Sequence, residues 1–199
     1  IFLNTYYSAF LEAFYQKSPG LLNADYKRQY LTLQSEFFGD SNFYSEGLKK
    51  ASWKADDLVI NCAPLQRTWA KENGFTGKDL EIAVEQIRRE RPQTIYFQDL
   101  SLGTREFLSA IRPYTELIVG QIASPIPNQA DISGFDIIFS SFPHFVEKFR
   151  KMGVTSYYQP LAFDPRVLEK MDDYQRTYPV TFVGGISPSH GKGYQLLEK

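Results

Sequence analysis

At 199 residues, 43% hydrophobic and 23% charged, the chain can bury a substantial core and is long for one domain yet short for two. A net charge of −1, with acidic and basic residues interspersed, leaves no electrostatic footprint for nucleic acid or for an anionic membrane. One cysteine, Cys62, excludes an internal disulfide and fits a reducing cytoplasm, and two distant histidines, His144 and His190, exclude zinc-type ligand spacing, so no metal site is expected.

In chain order, "IFLN" (1–4) reads as a short strand. The opening has no methionine and no basic n-region, which points to a trimmed start without a signal peptide, and no later stretch approaches the roughly 18 apolar residues of a membrane span. Tyr7, Phe10, Leu11 and Phe14 fall at helical spacing, and Tyr26, Tyr30, Leu33 and Phe37 make a second stripe. "DLVIN" (57–61) is a strand, Leu80, Val84 and Ile87 mark another helix, and "TIYFQ" (94–98), "ELIVG" (116–120) and "DIIFS" (136–140) are strands again. Their apolar residues are consecutive instead of alternating, as in parallel strands buried on both faces.

"SSFPHFVEKFRKMG" then carries full helix punctuation. Ser140 or Ser141 can cap, Pro143 suits the first turn, Phe145, Phe149 and Met152 form the stripe, and Gly153 ends it. After "TSYYQ" (155–159), residues 166–179 read as a connector and 180–199 as the first strand-helix unit of a second domain, so the chain is expected to be part of a longer protein. Residues 1–165 form an α/β, Rossmann-like, doubly wound domain with a mainly parallel sheet and flanking helices.

The stretch "VTFVGGISPSHGKG" (180–193) begins as phosphate-binding loops do. Five residues separate Gly185 from Gly191, and Lys192 is followed by Gly193 instead of a hydroxyl, so it is not a P-loop. No three glycines in the chain fit G-x-G-x-x-G, which disfavours a nucleotide-sugar epimerase or dehydrogenase. What survives is a strand, a glycine turn and a helix whose amides can face an anion, with a ligand-free turn as the competing account.

The stretches "FGDSNFYSEGLKK", "LQRTWAKENG", "GQIASPIP", "DIIFSSFPHFVEKFRKMGV" and "YYQPLAFDP", followed by "VTFVGGISPSHGK", resemble the N-terminal half of bacterial glycosyltransferases of the GT-B fold, in particular the CgeB-like, spore-maturation-type group. The run "PHFVEKFRKMGV...LAFDP" is the most specific part. The resemblance implies two Rossmann-like domains facing a cleft. The N-terminal one receives the acceptor, and the C-terminal one holds a nucleotide sugar as co-substrate, with no cofactor and no bound metal. It also implies that Gly184, Gly185, Ser187 and His190 face the donor diphosphate, and that this chain alone is inactive.

In open parallel sheets, ligands bind beyond the carboxyl ends of the strands. Here those ends are "NTYY" (4–7), "NCAPLQ" (61–66), "QDLS" (98–101), "GQIASP" (120–125) and "SSFPH" (140–144). They supply Tyr6, Tyr7, Gln98, Gln121, Ser124 and Ser141 as candidate acceptor contacts. Sugar transfer needs a general base, for which Asp99 and His144 are the candidates. Asp99 can equally cap the turn into "LSLGT", and His144 can be a surface histidine at a helix start. The acceptor, whether glycan, protein or small molecule, is open. Tyr194, Leu196 and Leu197 leave room for a homo-oligomer, and a non-catalytic ligand- or protein-binding module of the same fold is the competing function.

Overall fold

The computed structural model describes residues 1–171 and Pro179. The chain divides into two compact units, Ile1–Asp164 and Pro165–Lys199. Of the second, the described part holds one short helix, Arg166–Glu169. The expected connector is described only in part, and the strand and helix expected over 180–199 lie outside the described residues.

The first unit is built on six parallel strands: β1 (Phe2–Asn4), β2 (Asp57–Val59), β3 (Thr94–Phe97), β4 (Leu117–Gln121), β5 (Ile137–Ser140) and β6 (Thr155–Tyr158). Their order is β2-β1-β3-β4-β5-β6, an α/β, Rossmann-like arrangement flanked by helices. The chain steps from β1 outward to β2, then returns to the other side of β1 with β3 and continues outward. The direction therefore reverses between β1 and β3, and that gap is the topological switch point.

Between the strands run α1 (Ser8–Lys17), α2 (Tyr26–Ser35), α3 (Phe43–Lys50), α4 (Ala63–Glu72), α5 (Leu80–Glu90), α6 (Arg105–Ile111) and α7 (Pro143–Lys151). Leu3, Leu58, Ile95, Phe97, Ile118 and Ile138 project from one sheet face into a continuous core. Ala83 and Ile87 of α5, Phe107, Leu108 and Ile111 of α6, and Phe149 of α7 close over them. Full burial of each large apolar side chain stabilises by about 1.5–3 kcal/mol, which is what holds the helices to this face.

Two details of α7 differ from the sequence reading. Val146 and Phe149 are its buried residues, while Met152 is 52% exposed. No side chain caps its first turn; instead the Phe142 amide, at the N-cap, donates to Ser140 Oγ at 3.1 Å. Gly153 follows the helix at φ +81°, a left-handed position that glycine adopts without a Cβ clash.

The opposite face packs differently. Beside an apolar cluster of Leu11, Phe14, Leu33, Val59 and Leu65 lies a buried polar network between β1, β2 and α3. Asn4 Nδ2 donates to Ser41 O and to Asp57 Oδ1, each at 3.2 Å, and the Ser45 hydroxyl donates to Asp57 Oδ2. Ser41 Oγ donates to Gln34 O and Oε1, both at 2.9 Å. Burial is the main cause of the Asp57 carboxyl being pushed up to about 6, against the hydrogen bonds from Ser45 and Asn4 that favour its charge. The network also pins the turn between α2 and α3, where Phe37 (φ 54°) and Ser41 (φ 41°) occupy the left-handed region.

Candidate functional site

The loops following β1 and β3 meet across the switch point through one hydrogen bond. Thr5, the residue after β1, donates its hydroxyl to Asp99 Oδ2 at 2.5 Å. The other carboxylate oxygen, Oδ1, accepts from the Ser101 amide at 2.8 Å, so Asp99 is also the N-cap of the short 3-10 turn Leu100–Leu102. The capping role weighed from sequence is therefore present, and it holds the carboxylate at the crevice.

That turn packs onto the sheet because β4 carries Gly120. A Cβ there would meet Leu100 Cδ1 at 2.9 Å and the Phe135 ring at 3.1 Å, so only glycine lets Leu100 lie this close to the strand. Leu100 is 2% exposed, and it anchors the loop that presents Asp99.

Asp99 lines a cleft of 290 Å³ at the carboxyl ends of β3 and β4, together with Gln98, Gln121, Ser124 and Pro127. The Nε2 of Gln98 is buried and has no hydrogen-bond partner. A buried amide donor left unmade costs about 1–3 kcal/mol, which an acceptor atom in the cleft would recover. Gln121 is oriented by the Tyr96 hydroxyl, which donates to its Oε1 at 2.7 Å.

Of the candidates read from sequence, Gln98, Asp99, Gln121 and Ser124 are thus brought to one cleft. The others lie elsewhere. Tyr6 is 6% exposed and turns inward, donating its hydroxyl to Gln34 Oε1 at 3.2 Å. Tyr7 is 78% exposed, in edge-to-face contact with Phe38. Ser141 is half-buried just before α7, and His144 is exposed on its first turn, stacked on Phe142 with centroids 5.5 Å apart. Gly184, Gly185, Ser187 and His190 lie outside the described residues. Thr5 was within a strand end singled out by sequence, but nothing local marks it as the partner of Asp99.

A larger groove of 510 Å³ lies between α5 and α6, lined by Phe75, Leu80, Val84 and Phe107. Glu81, Glu85 and Glu106 also line it, and of these Glu85 is committed, with Arg88 Nε donating at 2.6 Å and Arg89 Nε at 2.7 Å, and these two arginines hold it down to about 2. The cleft at Asp99 lies instead at the carboxyl ends of parallel strands beside the switch point, where open α/β sheets bind their ligands, and is the better site for chemistry. Among the described residues, no group of three or more His, Cys, Asp and Glu is placed to hold a metal ion, and no helix is long and apolar enough to cross a membrane. Comparison with family models, with curated proteins and with solved structures returned no match to this chain.

Proposed function

We propose that this chain is the acceptor-side half of a GT-B glycosyltransferase, which transfers a sugar from a nucleotide-sugar donor to an acceptor hydroxyl. The observation that carries the reading is the Asp99 carboxylate, steadied by Thr5 and the Ser101 amide at the switch point and open to a cleft beside Gln98 and Gln121. In this reading Asp99 is the general base. It takes the proton of the acceptor hydroxyl as that oxygen bonds to the anomeric carbon, while the bond from that carbon to the diphosphate oxygen breaks and the nucleoside diphosphate departs. The donor is held from the segment that holds Gly184, Gly185, Ser187 and His190 and from whatever follows it.

A second reading, a non-catalytic ligand-binding module, is favoured by one fact: each Asp99 oxygen already accepts a hydrogen bond, as a structural cap would. The test is a thermal-shift screen of the complete gene product against nucleotide sugars, followed by product analysis. A ligand at 100 times its dissociation constant stabilises by about 2.7 kcal/mol. A shift with released nucleoside diphosphate supports the transferase, whereas neither shift nor turnover across uridine, guanosine, cytidine and thymidine donors would sink it.

A further inference from the structure

In the first unit the helices of one sheet face gather at its β1 and β2 side, where α1, α2 and α4 pack around Val59. The face that carries Tyr96, Val119, Gln121, Phe139 and Tyr157 has α3 at one side, through Tyr44. Outward from there its rings remain partly open, and Tyr157 is 50% exposed.

The rings form a row across the strands. Phe2 and Tyr96 have centroids 5.1 Å apart, Tyr96 and Phe139 6.4 Å, and Phe139 and Tyr157 6.1 Å. Tyr44 of α3 lies over the same row, 5.9 Å from Tyr96. Along β3 to β6, the side chains alternating onto this face include Thr94, Leu117, Ile137 and Thr155 besides those named, and none carries a charge.

Amides border the rings. The Tyr96 hydroxyl is shared between Gln121 Oε1 at 2.7 Å and Gln159 Oε1 at 3.1 Å, and Gln159 Nε2 donates to the Tyr44 hydroxyl at 3.4 Å. Gln121 and Gln159 both hydrogen-bond the Tyr44 hydroxyl as well, so the two amides are held in place between two phenols. Gln121 is common to the row and to the Asp99 cleft, so the two adjoin. Burial chiefly, and the Asp40 carboxylate at the rim in addition, disfavour ionisation of the Tyr44 and Tyr96 phenols.

We infer that this row is a subsite for a neutral sugar ring, stacked on Tyr96, Phe139 and Tyr157 and hydrogen-bonded by Gln121 and Gln159. Apolar ring faces suit the C–H face of a pyranose, and amides, which donate and accept, suit its hydroxyls; a row without a cationic side chain offers nothing to hold a phosphate. The assignment to an acceptor rests on the transferase reading, because it is the shared Gln121 that sets the bound ring next to Asp99. The binding itself does not.

The experiment is saturation-transfer NMR on the 199-residue chain with maltose and N,N′-diacetylchitobiose as probes and cyclohexanol as the apolar control, with side-chain amide shifts of Gln121 and Gln159 recorded in parallel. Saccharide binding that moves both amides is expected. Tyr157→Ala should weaken it about fivefold by loss of one stacking ring. Tyr96→Phe, which keeps the ring and drops the hydroxyl that orients both amides, should weaken it by roughly 2- to 10-fold. Tyr157 is at the sheet edge and half-exposed, so its replacement should leave the circular dichroism unchanged.

Cyclohexanol binding without either saccharide would overturn the inference, as would a dimer in light scattering that Tyr157→Ala dissociates, since that assigns the face to a second copy. Loss of transfer in Asp99→Asn with no saccharide response at the row overturns the subsite and spares the transferase. Saccharide binding at the row with no turnover of any nucleotide sugar by the parent protein does the reverse.

Discussion

Thr5 and Asp99 are 94 positions apart in sequence, yet the hydroxyl of one lies 2.5 Å from the carboxylate of the other. The bond spans the gap where strand order reverses, so the carboxylate is fixed from both sides: by β1 through Thr5 and by its own turn through Ser101. A base steadied on rigid elements is better aimed than one on a free loop.

Asp99→Asn therefore separates the cap from the chemistry. The amide oxygen still accepts the Ser101 N–H, so the melting temperature should change little, whereas Asp99→Ala should lose the cap and about 1 kcal/mol. In the complete gene product, kcat of Asp99→Asn should fall on the order of 10² to 10⁴. If kcat stays within about threefold while Asp99→Ala unfolds, Asp99 is a cap and nothing more.

The turn that carries Asp99 should also be intolerant of a single methyl at its end. A Cβ on Gly103 would sit 2.6 Å from Phe135 Cζ, and that ring is 4% exposed and edge-on to Phe97, with centroids 5.2 Å apart. Gly103→Ala should cost about 1–3 kcal/mol, read in urea melts. Gly47→Ala in α3 is the control: nothing lies within 4 Å of its Cβ, and it should stabilise by up to about 1 kcal/mol.

Such relations explain what the sequence made legible. β3, β4 and β5 were readable because their apolar residues are consecutive, although β3 and β5 fully bury one face and only half-bury the other, and α1, α2, α5 and α7 because each buries an apolar stripe. α3 escaped because its inward residue is Ser45, placed there to serve Asp57, and α4 because Gln66 turns inward to donate to Val59 O at 3.0 Å. Gln98, Asp99, Gln121 and Ser124 were legible as strand ends. Thr5 was not, since its role exists only once β1 and β3 are neighbours. Tyr6 misled for a related reason: the strand end is real, but the ring is drawn inward toward Gln34.

His144 offers a contrasting test. Its ring packs on Phe142 and Phe145 with centroids 5.5 and 4.7 Å away, and it is not among the residues of the Asp99 cleft. His144→Gln should alter stability by less than about 0.5 kcal/mol and leave kcat within about threefold. A fall of 10² or more, with Asp99→Asn nearly unaffected, would transfer the base role to His144.

The buried network beneath α3 makes stability depend on pH in a direction opposite to the usual carboxylate. Folding raises the Asp57 pKa from 3.8 to about 6, chiefly by burial, so the folded protein holds a proton that the unfolded chain releases. Its contribution is therefore most favourable below pH 3.8, declines as pH rises from 3.8 to about 6, and is flat above that. The decline amounts to roughly 3 kcal/mol at 1.36 kcal/mol per unit. Glu85 has the opposite slope: its pKa is lowered from 4.5 to about 2, so its ion pairs are lost as pH falls through that range, and salt screens them because both arginines are exposed. Urea melts at pH 4.5 and pH 7.5 in 0.5 M salt isolate the Asp57 part, and Asp57→Asn, which cannot ionise, should flatten it. If parent and Asp57→Asn show the same difference between the two pH values, Asp57 is not the group that titrates on folding.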